Sequence, residues 1–336
     1  MVEKRRVLVI CTGGTIASRV MDHGLRPGIT ADEILNYVPD IRKRYEVEAL
    51  QICSIDSTNM TPAIWKQIVQ TIRKNYRGYD GFVLLHGTDT MAYTSAALSY
   101  MIQNSRKPIV ITGAQRPIDL EITDARTNLM DSIIYAADPR SHGVVIVFDG
   151  NVIAGTRAKK TRAKSYNAFS SVNFPNLAMM LDGKIIRYIP AENFEEPVSF
   201  TEEVNDSIVV LKLIPGSKPE LLEYLFANYD CIVIESFGVG GLPDSLTRVF
   251  YQEMQKWIEK GKLIVMATQV VNEGSNMEVY EVGQKVKNDF NLIEAYDMTL
   301  EATVTKLMYL MAEYGTDYEK VRSGYYHRIN YDMLYR

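Results

Sequence analysis

Val7 to Ile10 is an unbroken apolar run that is cut off by Gly13-Gly14, with Thr15 directly behind. A short apolar run bounded by a turn reads as a strand buried on both faces, the kind found in parallel sheets. Paired glycines permit positive φ and a close approach of neighbouring backbone. The turn therefore sets the Thr15 hydroxyl at the carboxyl end of a buried strand, where open α/β sheets bind their ligands. Taken alone, VLVICTGGTIAS is equally an ordinary strand-to-helix turn.

The design recurs. GFVLLHGTDTM, from Gly81 to Met91, has an apolar strand at Phe82 to Leu85, then Gly87, then a hydroxyl and a carboxylate at Thr88 and Asp89. Strand ends with this chemistry can converge at one crevice. A third end follows the strand Val47 to Cys53, where Asp56-Ser57-Thr58 offers hydroxyls beside backbone N–H groups, a pairing suited to a carboxylate. The same residues read as a loop leading to Thr61-Pro62, a helix-start signal. Lys160, in TRAKKTRAK, offers a base. That run also holds Arg157, Lys159, Arg162 and Lys164, so a solvated basic face fits it too.

Strands at Val7 to Cys11, Val47 to Cys53, Gly81 to His86, Pro108 to Thr112 and Val144 to Phe148 alternate with helical patterns. The helices fall near Pro62 to Tyr76, Thr90 to Gln103 and Asp124 to Ala137. This alternation predicts an α/β fold with a doubly wound, mostly parallel sheet. Residues 189–206 are acidic, carry prolines and lack helical periodicity, and so read as a linker. Alternation resumes with strands at Ile208 to Leu213, Cys231 to Glu235 and Leu263 to Ala267, and helices near Leu246 to Lys260 and Glu301 to Tyr314. The expected division is a large N-terminal domain over 1–188, the linker 189–206, and a smaller α/β domain over 207–336.

The net charge of −4 argues against a general nucleic-acid binder. The three cysteines, Cys11, Cys53 and Cys231, lie in or beside apolar runs and read as buried free thiols. MVEKRR before VLVIC resembles a signal peptide, but its apolar run is too short and no small-residue cleavage site follows. No run approaches the ~18 apolar residues of a membrane helix, so a cytoplasmic protein is expected. His23, His86, His142 and His327 show no ligand spacing, and no metal is expected. The glycine-rich turn lacks the Gly-Lys-Ser/Thr of a P-loop and the glycine spacing of a dinucleotide site.

TGGTIA, DSTNMTP, HGTDTMAYT, TGAQRP, ESFGVG and DMTLEATVTKL follow one another along the chain. Together they resemble the bacterial-type asparaginase/glutaminase family, in its cytoplasmic type I branch, over nearly the whole length. The resemblance implies an amidohydrolase that converts L-asparagine to L-aspartate and ammonia through an acyl-enzyme, and it leaves L-glutaminase activity open as the closest rival. It implies no cofactor, and a homodimer or homotetramer. It makes Thr15 the nucleophile and Thr88, Asp89 and Lys160 the assisting set. Tyr166, Ala168 and Phe169 hold the register that selects Lys160 over Lys159. It sets Ser57 and Thr58 on the substrate α-carboxylate and Asp89 on the ammonium. Gly87 and Ala114 join the substrate-binding residues, Ala114 through its carbonyl.

The chain departs from the family pattern at several positions. Leu25 stands where relatives carry a lid tyrosine, so another tyrosine or a water must serve Thr15; Tyr309, on the helix after DMTLEATVTKL in the same or a neighbouring protomer, is a candidate. Gly241 replaces the asparagine that usually follows Gly-Val-Gly, and Asn59 stands where an aspartate is common. Glu235 and Val270, near Thr268-Gln269, differ from what a regulated member would show. Two rival readings stand beside this one. An asparaginase-like component of a tRNA-dependent amidotransferase usually carries an extra N-terminal domain, whereas the first strand here begins near residue 7, and the acidic charge disfavours tRNA. A non-catalytic amino-acid-binding protein would have no need of Thr15, Thr88, Asp89 and Lys160 together.

Overall fold

The apolar run at Val7 is part of strand β1 (Arg6–Gly13), buried from Val7 onward. The computed structural model describes residues 4–21, 24–190, 194–218, 220–242, 252, 255–279, 281–290 and 292–334. In it β1 is joined by β2 (Glu46–Ile55), β3 (Gly81–Leu85), β4 (Pro108–Thr112), β5 (Gly143–Phe148), β6 (Asn151–Ala154), β7 (Ala178–Leu181) and β8 (Lys184–Arg187). The sheet order is β8-β7-β6-β5-β4-β3-β1-β2. Strands β1 to β5 pair in parallel, and β6 to β8 extend the sheet antiparallel. The chain order reverses at β1: β2 is added on one side of it, and β3, β4 and β5 on the other. A reversal of this kind opens a crevice beyond the carboxyl ends of the two strands that flank it, here β1 and β3.

Helix α1 (Pro62–Asn75) buries Trp65, Ile68, Val69 and Ile72, one face at helical spacing. Pro62 sits in its first turn, where the missing N–H costs nothing. Helix α2 (Met91–Met101) is buried almost throughout, and its hydroxyls are satisfied inside: Ser95 donates to the Gly155 carbonyl at 2.7 Å. The expected helix over Thr90 to Gln103 stops at Met101. Ile102–Gln103 pair instead with Ser199–Phe200, a contact from far along the chain that overrides local helix preference. Ser199 and Phe200 fall inside the stretch expected as linker. The chain divides into two compact units, Met1–Glu202 and Glu203–Arg336.

Helix α3 (Ala125–Ala137) packs across β3, β4 and β5, and a Cβ on Gly81 would lie 2.0 Å from the Ala136 carbonyl oxygen, so only glycine fits there. Within α3, Asp131 is only 9% exposed and, among the described residues, has no hydrogen-bond or ion-pair partner. Burial pushes its carboxyl up to about 6. A carboxyl raised in the folded state binds its proton more tightly there than in the unfolded chain. Its stability cost is therefore absent below about pH 4, grows through pH 4–6 and is complete above. Asp131→Asn is expected to stabilise the protein by about 2 kcal/mol at pH 8 and to leave it unchanged at pH 4. Thermal melts at the two pH values check this; an equal shift at both would assign the effect to packing.

The second unit carries its own parallel sheet, β9 (Ile208–Lys212), β10 (Cys231–Ser236), β11 (Leu263–Thr268) and β12 (Ile293–Glu294), paired in chain order. Helices α4 (Glu220–Asn228), α5 (Glu281–Asp289), α6 (Leu300–Tyr314) and α7 (Tyr318–Tyr326) accompany it. Its core joins Phe226 and Trp257, stacked at 5.5 Å, to Ile232, Ile264 and Val286. Lys306 and Asp332, both fully buried, pair at 2.6 Å and tie the end of the chain to α6. The helix expected near Leu246 to Lys260 falls largely outside the described residues, as does His23. Among the described residues no helix is long and apolar enough to cross a membrane.

Candidate active site

Glycines bring the three strand ends together. Gly14, at φ +80°, follows β1, and a Cβ there would lie 2.4 Å from the Gly87 nitrogen behind β3. A Cβ on Gly87 would lie 2.6 Å from Ser57 Oγ, behind β2. Backbone therefore touches backbone across the switch point, and the hydroxyl-bearing residues beside each glycine share one crevice. Thr15 opens a single 3-10 turn, Thr15–Ala17, and is half-buried. The Ala17 carbonyl accepts the N–H groups of Gly28 and Ile29, closing the base of a hairpin in which Ser18–Met21 pairs with Gly24–Pro27. Leu25 lies in that hairpin opposite Val20.

Lys160 ends a short strand, Ala158–Lys160, paired with Phe169–Ser171 so that Lys160 opposes Phe169. Phe169 packs edge-on against Phe148 at the end of β5, with ring centroids 5.0 Å apart, which anchors the hairpin to the sheet. Lys160 Nζ donates to Thr88 Oγ1 at 2.8 Å and to Asp89 Oδ1 at 2.7 Å. Thr88 is buried, whereas the Asp89 side chain is 56% exposed and open to a ligand. The Asp89 N–H donates to Ser57 Oγ at 3.2 Å, and Thr90 Oγ1 donates to the Ser57 carbonyl at 2.7 Å. Asp56 caps the one-turn segment Ser57–Asn59, taking both the N–H and the hydroxyl of Thr58 on Oδ1 at 2.9 Å.

Behind this surface is a hydrogen-bonded relay. His86 is fully buried, and burial lowers its pKa to about 4, so the ring is neutral at neutral pH. Its Nδ1 lies 2.6 Å from the Gly87 carbonyl, which can only accept, so Nδ1 carries the proton. Nε2 then accepts from Thr94, 2.9 Å away, and Thr94 accepts the Trp65 indole N–H at 2.9 Å. Holding the Gly87 carbonyl fixes the plane of the Gly87–Thr88 peptide. The Thr88 N–H then points the opposite way, away from His86.

The Gly113–Pro117 loop is held from below. Asp124 accepts the N–H groups of Gln115 and Arg116 at 2.8 and 3.1 Å, and Asn128 donates to the Gly113 carbonyl at 3.0 Å. Burial raises the Asp124 carboxyl above its usual range, against the lowering by those N–H groups. Ala114 is buried in this loop, and Ile118 N–H donates to the Ile16 carbonyl at 3.3 Å, joining the loop to the Thr15 turn.

Thr15, Ser57, Gly87, Thr88, Asp89 and Lys160 thus belong to one crevice in the first unit, with Thr58 at its rim and Ala114 in the adjoining loop. Tyr309 is half-buried on α6 in the second unit. Gly241 closes a tight turn there by bridging Phe237. Asp124, Asn128, Thr94 and Trp65 carried no visible signal in the sequence. Asp124 stands at the N-terminus of α3, yet its carboxylate turns to the preceding loop and makes no side-chain cap. Among the described residues no group of three His, Cys, Asp or Glu side chains could hold a metal ion.

Comparison with known proteins finds relatives over nearly the whole chain. The family description "Asparaginase, N-terminal" fits residues 6–192, and "Glutaminase/Asparaginase C-terminal domain" fits residues 207–323. The L-asparaginase of Thermococcus kodakarensis is 36% identical over 320 residues, covering 94% of this chain and 95% of that protein. A solved structure of the thermostable L-asparaginase from the same organism superposes with a TM-score of 0.91 at 33% identity, over 98% of this chain and 100% of that one. A glutamyl-tRNA(Gln) amidotransferase component from Methanosphaera stadtmanae is 35% identical over 329 residues, covering 91% of this chain but 72% of that protein.

Proposed function

The chain belongs to the asparaginase family of amidohydrolases, and from that membership we propose that it hydrolyses L-asparagine to L-aspartate and ammonia, with Thr15 as nucleophile. The observation that carries the reading is Lys160 Nζ bridging Thr88 Oγ1 and Asp89 Oδ1 at the switch point that Thr15 also borders. A threonine hydroxyl is a weak nucleophile and needs a neighbouring base and a held substrate. The Ser57 hydroxyl takes the α-carboxylate and Asp89 the α-ammonium, which orients the side-chain amide toward Thr15.

The reaction is acyl transfer in two halves. Thr15 Oγ bonds to the amide carbon, the C–N bond breaks, and the nitrogen leaves as ammonia with the hydroxyl's proton. Water then cleaves the ester, restoring Thr15 and releasing aspartate. The Thr88 N–H, aimed away from His86, is placed to receive the oxyanion of each tetrahedral intermediate. The Thr88–Lys160 contact can pass a proton either way and activates the attacking oxygen.

Glutamine differs from asparagine by one methylene, worth about 1–3 kcal/mol of discrimination. Ammonia release from both amides, measured side by side, tests the proposal. Aspartate and ammonia from asparagine, with glutamine slower, is the expected result. Binding of aspartate without ammonia from either amide would leave an amino-acid-binding protein. The amidotransferase relative's tRNA is not carried over to this acidic chain. The proposal includes a homodimer or homotetramer, read by light scattering. It also includes Tyr309 of a neighbouring copy of this chain as a hydrogen-bond partner for Thr15 in the oligomer: Tyr309→Phe should lower kcat about 10- to 100-fold with little change in Tm. A lower Tm with kcat retained would make Tyr309 a packing residue.

A further inference from the structure

Asp124 is a buried carboxylate that neither caps its own helix nor pairs with a cation among the described residues. Its two oxygens go to the loop after β4: Oδ2 accepts the Gln115 N–H at 2.8 Å and Oδ1 the Arg116 N–H at 3.1 Å. Asn128 follows one helical turn later on the same side of α3. Its Oδ1 accepts the Asp149 N–H at 2.9 Å, which identifies Nδ2 as the donor, and Nδ2 reaches the Gly113 carbonyl at 3.0 Å. Ala114 lies between these two held peptides. In a planar trans peptide the carbonyl and the N–H point opposite ways. With the Gln115 N–H drawn to Asp124, the Ala114 carbonyl is turned away from α3. That carbonyl belongs to a buried residue and has no hydrogen-bond partner among the described residues. A buried carbonyl that the chain itself leaves unpaired calls for an outside donor.

We infer that Asp124 and Asn128 are positioning residues that aim the Ala114 carbonyl at the departing nitrogen, so that the site favours amides over esters. Ala114 follows β4, and β4 pairs with β3, whose end carries Gly87 and Thr88. Ile118 ties the same loop to Ile16, beside Thr15. The carbonyl therefore belongs to the side of the crevice next to Thr88. A carboxamide nitrogen has N–H groups to give it. An ester oxygen has none and would set one acceptor against another. Holding one N–H also fixes the nitrogen as the tetrahedral intermediate forms, with its lone pair left to take the Thr15 proton as the C–N bond breaks. Hydrogen bonds to an ionised carboxylate are stronger than those to a neutral acceptor, which suits Asp124 to stiffening a loop. The inference rests on the amidohydrolase reading for the ligand that meets the Ala114 carbonyl, and on these hydrogen bonds for the roles of Asp124 and Asn128.

L-Asparagine and the β-methyl ester of L-aspartate would form the same aspartyl enzyme and differ only in the group that leaves. The ratio of their kcat/KM values therefore reads the inference whatever fraction of a variant is folded. Asp124→Ala should lower kcat/KM for asparagine about 10-fold or more and change it for the ester less than about 3-fold. Asp124→Asn keeps one accepting oxygen and should fall between the wild type and Asp124→Ala on asparagine. Asn128→Ala should move the ratio in the same direction, and the double variant should move it by less than the product of the single effects, because both residues hold one loop. An unchanged ratio in Asp124→Ala, with both substrates losing equally or neither losing, overturns the inference and leaves Asp124 a support of the fold. A wild-type protein that cleaves neither substrate overturns the amidohydrolase reading, and the inference with it.

Discussion

Lys160→Met is expected to lower kcat on asparagine about 1,000-fold or more, with Tm almost unmoved. The two outcomes separate because the lysine's roles differ in scale. Its ion pair with Asp89 has one partner that is 56% exposed, so solvent screens it and its loss costs less than about 1 kcal/mol. Its contact with Thr88 is on a buried hydroxyl, and no other cation among the described residues donates to that oxygen. Methionine keeps the length and apolar stem while removing every donor. Lys159→Met is the control. Successive side chains of an extended segment point to opposite faces, and Lys160 is the one whose ammonium reaches Thr88 and Asp89. Lys159→Met should change kcat less than about 3-fold. A large fall from Lys159→Met with Lys160→Met active would reverse the assignment.

What the sequence disclosed follows from how far each signal reaches. The turns after β1 and β3 were legible because their causes are local: an apolar run, a glycine where backbone meets backbone, and a hydroxyl next in line. Pro62 announced α1 in the same local way. The support for the site was not legible. Trp65, Thr94 and His86 form a chain only after α1 and α2 fold onto β3, and nothing in the spacing of a tryptophan, a threonine and a histidine singles them out. Asp124 gave no local signal because its partners, Gln115 and Arg116, become neighbours only when the loop after β4 turns back. Ile102 shows the same limit from the side of secondary structure. Its local pattern continued a helix, but its backbone partner, Phe200, is fixed by tertiary pairing.

The glycine contacts leave the backbone of the crevice little room for added side chains. Gly14, Gly87 and Ser57 stack through separations too short for any added carbon, and Gly113 meets the His86 carbonyl just as closely, at 2.2 Å for a built Cβ. The backbone of one turn is therefore the wall of the next. The hydroxyls proposed to react are aimed by main chain held from both sides, and substitution of Thr15, Thr88 or Lys160 is expected to leave that scaffold in place.

Thr15→Ala follows from that separation and is expected to remove turnover by about 10,000-fold while aspartate binding stays within about 3-fold. Truncation deletes one half-buried hydroxyl that, among the described residues, has no hydrogen-bond partner, so no buried group is left unpaired and folding should be unaffected. Loss of turnover alone would not tell the nucleophile from an assisting hydroxyl, because Thr88 stands across the same crevice. Mass spectrometry of acid-quenched enzyme with asparagine separates them. In the wild type and in Thr88→Val, an aspartyl adduct on the peptide that contains Thr15 is the expected result, and Thr15→Ala should show none. Accumulation of that adduct in Thr88→Val would assign the Thr88–Lys160 pair to the water that cleaves the ester. Its disappearance there would assign the pair to activation of Thr15 itself. An adduct on the Thr88 peptide in Thr15→Ala would exchange the roles of the two threonines and leave the crevice, with its crossing glycines, as the shared frame for either chemistry.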